Sequence, residues 1–204
     1  MRRVGASTAE RQRAAHCGHV WSRDFVEDQT ERGTRFRVLT LVDEHTRECL
    51  AVHVAWSIRS ITVVEAAMER HGAPGHIRSG NGPEFIAHAV QDWLEDRGVK
   101  TLYIRPGSPW ENGHIESFHD KLRDECLNRE IFGSLLEAQV VIEAWRIEYN
   151  GLRPHSSPGC LTPDRSREEQ SETTTSNQSQ DSAFDLSSLW GQVKKKDLLR
   201  PPKP

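Results

Sequence analysis

A carboxylate and a guanidinium stand on the polar side of a helix that follows a Gly/Pro-rich loop. The loop covers residues 106–113, and in the segment 115–122 apolar residues recur at the spacing of one buried helix face. Glu116 and Arg123 therefore point away from the core. A carboxylate can bind a metal cation and an arginine can contact a phosphate. Taken alone, however, a glutamate near a helix start can simply favour the helix dipole, and an exposed arginine can simply be solvated.

Two short motifs place this helix in a wider pattern. Residues 112–118 read NGHIESF, and residues 81–85 read NGPEF directly after Gly80. The interval between Gly80 and Glu116 contains 35 residues. Both motifs and the interval resemble the catalytic core of insertion-sequence transposases, which is similar to the retroviral integrase core. The resemblance covers roughly residues 21–163, most of the chain.

The resemblance implies a metal site with one ligand missing. Members of the family hold divalent metal with two aspartates and one glutamate. The segment 21–25, WSRDF, matches the setting of the first aspartate, so the resemblance makes Asp24 the first ligand and Glu116 the third. Gly80 occupies the position of the second aspartate. The expected cofactor is therefore Mg²⁺ or Mn²⁺, with weak or absent occupancy in this copy.

The chemistry explains why the missing carboxylate matters. In phosphodiester cleavage and strand transfer, two ions about 3.5–4 Å apart activate the oxygen nucleophile and stabilise the leaving oxygen. Mg²⁺ prefers oxygen ligands, so carboxylates from separate elements must converge. Glu84 lies beyond the turn that follows Gly80 and does not substitute for the missing acid. The sequence therefore predicts weak or absent catalysis.

The expected partner is DNA, both transposon ends and target. Position and resemblance give five expected DNA-contacting residues: Arg78, Asn81, Asn112, Lys121 and Arg123. No helix-turn-helix signature precedes the core. End-specific binding would therefore need a homo-oligomer or a separate DNA-binding subunit.

The apolar patterning predicts an α/β fold. Strands are expected at residues 21–28, 35–42, 48–56, 76–79 and 99–104, and helices at 58–70, 84–97, 113–129 and 135–149. Three sequential strands followed by alternating helices and strands is the order of the ribonuclease-H-like fold, a mixed five-stranded sheet flanked by helices.

Composition divides the chain into three parts. We expect a flexible arm at residues 1–19, the integrase-like core at 20–165, and a disordered polar tail with a basic end at 166–204. The net charge is −3, and residues 20–165 carry 17 basic and 23 acidic side chains, so no global basic field steers the core onto DNA. Four scattered cysteines and the absence of a long apolar run predict a cytoplasmic protein outside the membrane, nucleoid-associated when on DNA.

Three other interpretations remain open from the sequence. The chain could be a non-catalytic DNA- or protein-binding remnant that mixes into multimers of an active relative; folding and DNA binding without turnover would support that. It could be a ribonuclease-H-like nuclease, and cleavage of nucleic acid without joining would support that interpretation. It could also be a decayed reading frame whose product does not fold, which a cooperative thermal transition would exclude.

Overall fold

The structure, a computed structural model, describes residues 13–80, 88–104, 112–152 and 162–168, with no side-chain description for residue 88. All of them belong to a compact unit that spans Met1–Ser171. The sheet has five strands in the order β3-β2-β1-β4-β5. The strands are β1 (Val20–Gln29), β2 (Arg35–Asp43), β3 (Cys49–Ala55), β4 (His76–Ser79) and β5 (Lys100–Tyr103).

The sheet is antiparallel on one side and parallel on the other. β1 pairs with β2, and β2 with β3, in antiparallel fashion through short turns. β1 also pairs with β4, and β4 with β5, in parallel fashion, because each of these connections runs through a helix. This confirms the predicted mixed five-stranded sheet, and it makes β1 the centre of the sheet.

Helices cover both faces of this sheet. The segments with a helical apolar period form α1 (Ser60–His71), α2 (His88–Glu95), α3 (Gly113–Leu122) and α4 (Leu135–Leu152). One hydrophobic cluster joins α1 and α2 to the face that carries Trp21 and Ile77. A second cluster joins α3 and α4 to the face that carries Val26 and Val38. The period-2 alternation of β1 therefore divides its side chains between two cores.

The helix predicted over residues 113–129 is interrupted. α3 ends at Leu122, and a π-helical turn (Arg123–Leu127) continues it. This turn still buries Cys126 and Leu127, so the chain stays in contact with the core. π-helical turns within helices are frequent at functional sites.

A last short helix, α5, covers residues 163–168. Arg167 of this helix donates to both oxygens of the Glu48 carboxylate, at 2.8 and 3.0 Å. The predicted core boundary at residue 165 falls inside this helix. At the other end of the chain, the Gly18 N–H donates to Asp43 Oδ2 at 2.7 Å, so the last residues of the predicted N-terminal arm contact the core. The rest of the predicted arm and tail lies outside the described residues.

Within the four described ranges, no helix has the length and apolar character needed to cross a bilayer. Cys17, Cys49 and Cys126 are free thiols.

We expect Leu122→Ala to destabilise the fold far more than Leu136→Ala. The Leu122 side chain is 0% exposed, whereas that of Leu136 is 53% exposed. Removing the buried side chain leaves a cavity between α3 and the sheet, which costs about 2–5 kcal/mol, while the exposed change stays within about 0.5 kcal/mol. Urea denaturation of both variants measures the difference. Equal losses would contradict the assigned packing face of α3.

Candidate active site

The parallel pairing of β1 with β4 brings Asp24 beside Gly80. The register pairs Ser22 with Arg78 and Arg23 with Ser79. Asp24 is the next residue on β1, and Gly80 follows Ser79 directly after the end of β4, so the register continued by one residue sets Gly80 next to Asp24. Side chains in register on parallel strands point to the same face of the sheet. A side chain at position 80 would therefore stand beside the carboxylate of Asp24.

Gly80 leaves open space at this point. Among the described residues, an added Cβ at Gly80 meets no heavy atom within 4 Å. The backbone at Gly80 does not have a positive φ, so the position does not require glycine. The local geometry therefore accepts an aspartate without displacing a described neighbour.

Glu116 lies on the helix that covers the same face. α3 begins at Gly113, contacts β1 and carries Glu116 as the acid of its first turn. Ile115 and Phe118 on either side of it are buried, and Glu116 itself is exposed. Asp24 is half-buried, with its Oδ1 accepting from the Phe25 N–H at 2.8 Å.

The described residues do not by themselves make a two-ion site. Within the part of the chain that the structure describes, no group of three or more His, Cys, Asp or Glu side chains is arranged to hold a metal ion. Asp24 and Glu116 offer carboxylate oxygens, the ligands that Mg²⁺ prefers, but position 80 offers none. The donor set fits a two-ion centre only when position 80 carries a third carboxylate.

A buried carboxylate connects the elements around this site. The Glu44 side chain is 1% exposed and follows directly after β2. Its Oε1 accepts from Ser22 Oγ at 2.5 Å and from Arg78 Nε at 2.7 Å. Its Oε2 lies 3.9 Å from His114 Nε2, in the first turn of α3. Arg47 also contacts His114, through Nδ1 of the ring.

A second polar contact ties α3 to β1 through β2. Thr40 Oγ1 donates to the backbone oxygen of Asp24 at 3.2 Å, so it can only accept from His119 Nε2, which lies 2.7 Å away. Burial, and to a smaller degree the charge of Arg123, lower the pKa of His119 to about 4. The ring is therefore neutral at pH 7 and donates from Nε2.

Similarity to known protein families identifies the family of this chain. Residues 14–109 and residues 97–163 each match a family described as integrase core domain. The chain belongs to the integrase core family. The two matches together cover every described element from β1 to α4.

Two relatives of this integrase core are proteins of bacterial insertion elements. The uncharacterized 39.2 kDa protein of insertion element IS476 from Xanthomonas euvesicatoria is 44% identical over 148 residues, covering 71% of this chain and 42% of the relative. The uncharacterized 31.7 kDa protein of IS407 from Burkholderia multivorans is 42% identical over 147 residues, covering 71% of this chain and 53% of the relative. The integrase core is thus of the insertion-sequence transposase type, and the chain spans about half the length of these curated relatives.

A solved structure confirms the ribonuclease-H-like fold. The catalytic core domain of HTLV-2 integrase in complex with magnesium superposes with a TM-score of 0.59 at 18% identity, covering 75% of this chain and 98% of that chain. At this level of identity the likeness concerns the fold alone.

The structure describes four of the five expected DNA-contacting residues, and two of these four are buried. Arg78 and Asn112 of the integrase core are 6% and 4% exposed. Arg78 is engaged with Glu44, so the geometry favours an internal role for it over a DNA contact. Arg123 is exposed and Lys121 half-buried on α3 and its π-helical continuation. Asn81 lies outside the described residues.

Four residues that make buried polar contacts around the site were not predicted from the sequence: Thr40, Glu44, His114 and His119. A signal existed for one of them: His119 falls four residues after Ile115, on the buried face of α3. The contacts of Glu44 had no such signal, because its three partners lie on elements distant in sequence.

We expect His119 to make the integrase core less stable as the pH falls. The folded-state pKa of about 4 lies below the ordinary value of 6.5, so the unfolded chain binds the proton first. The contribution of the neutral His119 ring to the free energy of unfolding is fully present above about pH 6.5 and declines toward pH 4. Between about pH 7 and pH 5, wild type should lose about 2 kcal/mol more than His119→Gln, which keeps a donor at the position of Nε2.

Urea denaturation at both pH values measures this difference. His16→Gln, at an exposed position, controls for the loss of a histidine. An equal pH dependence in wild type and His119→Gln would show that the His119 ring does not titrate as described.

Proposed function

We propose that this chain is the catalytic core of an insertion-sequence transposase whose parent activity is metal-dependent DNA cleavage and strand transfer, and that Gly80 impairs this copy. One observation carries the proposal. The parallel register sets position 80 beside Asp24, on the face that α3 covers with Glu116, and position 80 has no side chain.

Physical chemistry supports the impairment. Divalent ions bound at such a site activate an oxygen nucleophile and neutralise charge on the scissile phosphate. Asp24 and Glu116 provide at most two carboxylates for that purpose. A third carboxylate would add oxygen ligands and negative charge to the site, so its absence weakens the binding of divalent ions. We therefore propose weak or absent occupancy by Mg²⁺ or Mn²⁺.

DNA is the proposed partner of the exposed side of α3. Arg123 is exposed one residue beyond the end of α3, and Lys121 lies close to it. Their positions suit contacts with the phosphate backbone, which position DNA without reading its sequence. The whole protein's end recognition and assembly, as a homo-oligomer or with a DNA-binding subunit, belong to the same proposal.

A second candidate function rests on the intact fold. The sheet and both hydrophobic clusters are complete although position 80 lacks its carboxylate. A folded but inactive copy can bind DNA or join multimers of an active relative and inhibit them. Adding this chain in excess to an active relative would then reduce strand transfer, and no reduction would count against this candidate.

We expect Gly80→Asp to gain DNA cleavage and joining that the wild type lacks. The restored carboxylate completes a set of three with Asp24 and Glu116. Strand cleavage and joining on a branched DNA substrate, with Mg²⁺ or Mn²⁺, measures the gain. Gly80→Asn is the matched control, since it fills the same space without the charge and should stay inactive.

Three results would overturn this proposal. Activity of the unmodified chain would mean that another acid serves as the second ligand. Activity of Gly80→Asn equal to that of Gly80→Asp would mean that filled space, rather than charge, limits the wild type. If Gly80→Asp and wild type are both folded and inert, the proposed lesion is not at position 80.

We expect Arg123→Ala to weaken DNA binding uniformly across sequences. Loss of one phosphate contact should reduce the slope of log K against log salt by about one unit. Fluorescence anisotropy with unrelated duplexes, at several salt concentrations, measures both effects. Arg32→Ala, exposed in the turn after β1, is the matched control and should keep the wild-type slope. An unchanged slope in Arg123→Ala would remove this residue from the DNA interface.

A further inference from the structure

Glu44 contacts one residue from each of the three elements that form the candidate site. Ser22 lies on β1, Arg78 on β4 and His114 on α3. Ser22 and Arg78 both donate to Oε1, at 2.5 and 2.7 Å, and His114 Nε2 lies 3.9 Å from Oε2. Since the Glu44 side chain is 1% exposed, these contacts replace solvent around its carboxylate.

The three residues that contact Glu44 have the same sequence separation from the positions of the site. Each lies two positions before a site residue: Ser22 before Asp24, Arg78 before Gly80, and His114 before Glu116. On a strand, residues two apart point to the same face and lie about 6.6 Å from each other. On α3, two residues remain within the first turn. Glu44 therefore contacts each of the three elements two residues before the position that belongs to the site.

We propose that Glu44 is the positioning residue of this site, a buried carboxylate that sets β1, β4 and the start of α3 at the spacing at which positions 24, 80 and 116 converge. For metal binding this inference rests on the proposed function. Glu44 touches neither substrate nor metal in this role. It acts through Ser22, Arg78 and His114.

Glu44 can serve as a reference point because its own backbone is fixed. Its N–H donates to the Val20 oxygen at 3.0 Å, which ties it to the start of β1. The preceding Asp43 is 1% exposed. The Asp43 Oδ1 atom accepts from the N–H groups of His45 and Thr46 at 2.8 and 2.9 Å, closing the turn between β2 and β3. The turn thus fixes the backbone of Glu44 through hydrogen bonds that do not involve its side chain.

The charge of Glu44 makes the arrangement cooperative. A buried carboxylate is stable only while its partners compensate it, so moving any one element away leaves the charge less well paired. Arg47 contacts Nδ1 of His114, on the side of the ring away from Nε2, which faces Glu44. A neutral isostere at position 44 keeps the size of the side chain and removes the charge that holds the three elements together.

The test compares Glu44→Gln with Glu48→Gln. Glu48 lies at the other end of the same turn, its side chain is 7% exposed, and it pairs with Arg167 at 2.8 Å, away from the site. Both changes replace a buried carboxyl group that pairs with an arginine, so a general loss of stability affects both. Circular dichroism and thermal melting establish that each variant is folded.

Native-state hydrogen exchange is the first measurement, and it needs no metal. In Glu44→Gln we expect amide exchange to rise at least tenfold in the segments 20–29, 76–79 and 113–122 together, and in Glu48→Gln to stay within twofold of wild type there. Faster exchange limited to residues 43–48 would overturn the proposal, as would equal changes in both variants. If Glu44→Gln does not fold, Ser22→Ala replaces it, and an increase confined to β1 would then overturn the proposal.

Binding of Mn²⁺, followed by its paramagnetic resonance signal, is the second measurement. On the Gly80→Asp chain, Glu44→Gln should weaken Mn²⁺ binding at least tenfold and Glu48→Gln should not. Equal affinity in Gly80→Asp with and without Glu44→Gln would overturn the proposal. If Gly80→Asp itself binds no Mn²⁺, the proposed function fails, while hydrogen exchange still decides whether Glu44 positions the three elements.

Discussion

The parallel pairing of β1 with β4 is the constraint on which the candidate site depends. The two strands are far apart in sequence, with β2, β3 and α1 between them, and only their register sets Asp24 beside Gly80. A shift of one residue would turn every side chain of β4 to the opposite face and would move Ile77 out of its core. The burial of Ile77, which is 0% exposed, therefore also fixes which residue stands next to Asp24.

The loss of a site carboxylate need not weaken such a fold. Residues that converge on a metal repel one another when the ion is absent, so functional sites commonly reduce stability. Gly80 has open space around it among the described residues and takes part in neither hydrophobic cluster. A change from aspartate to glycine at this position removes negative charge next to Asp24 and leaves the cores as they are. Chemistry and folding are thus separable here, which is why a complete sheet says nothing about catalytic competence.

The parts of the fold that depend on apolar patterning were predictable from the sequence. The prediction for β4 matches its residues, 76–79, and those for β1, β2 and α1 differ from the structure by at most two positions at either end. The π-helical turn at Arg123 was not predicted, because apolar spacing does not distinguish a helix from a slightly wider turn. The role of Arg78 was also missed. An arginine on a short strand suggests a surface cation, and only the fold brings Glu44 from 34 residues away to pair with it.

Charge would also link the proposed metal binding of this core to its proposed DNA binding. Around Arg123 and Lys121, α3 and its continuation expose Glu116, Asp120 and Asp124. Two cations among three exposed acids attract a phosphate backbone only weakly, and the core as a whole has more acidic than basic side chains. Bound divalent ions would reverse that balance next to Glu116, since an ion is the largest local charge in such a site. We therefore expect the affinity of this face for DNA to follow its metal occupancy. On this basis we propose that the absent carboxylate at position 80 would affect DNA binding as well as the chemical step.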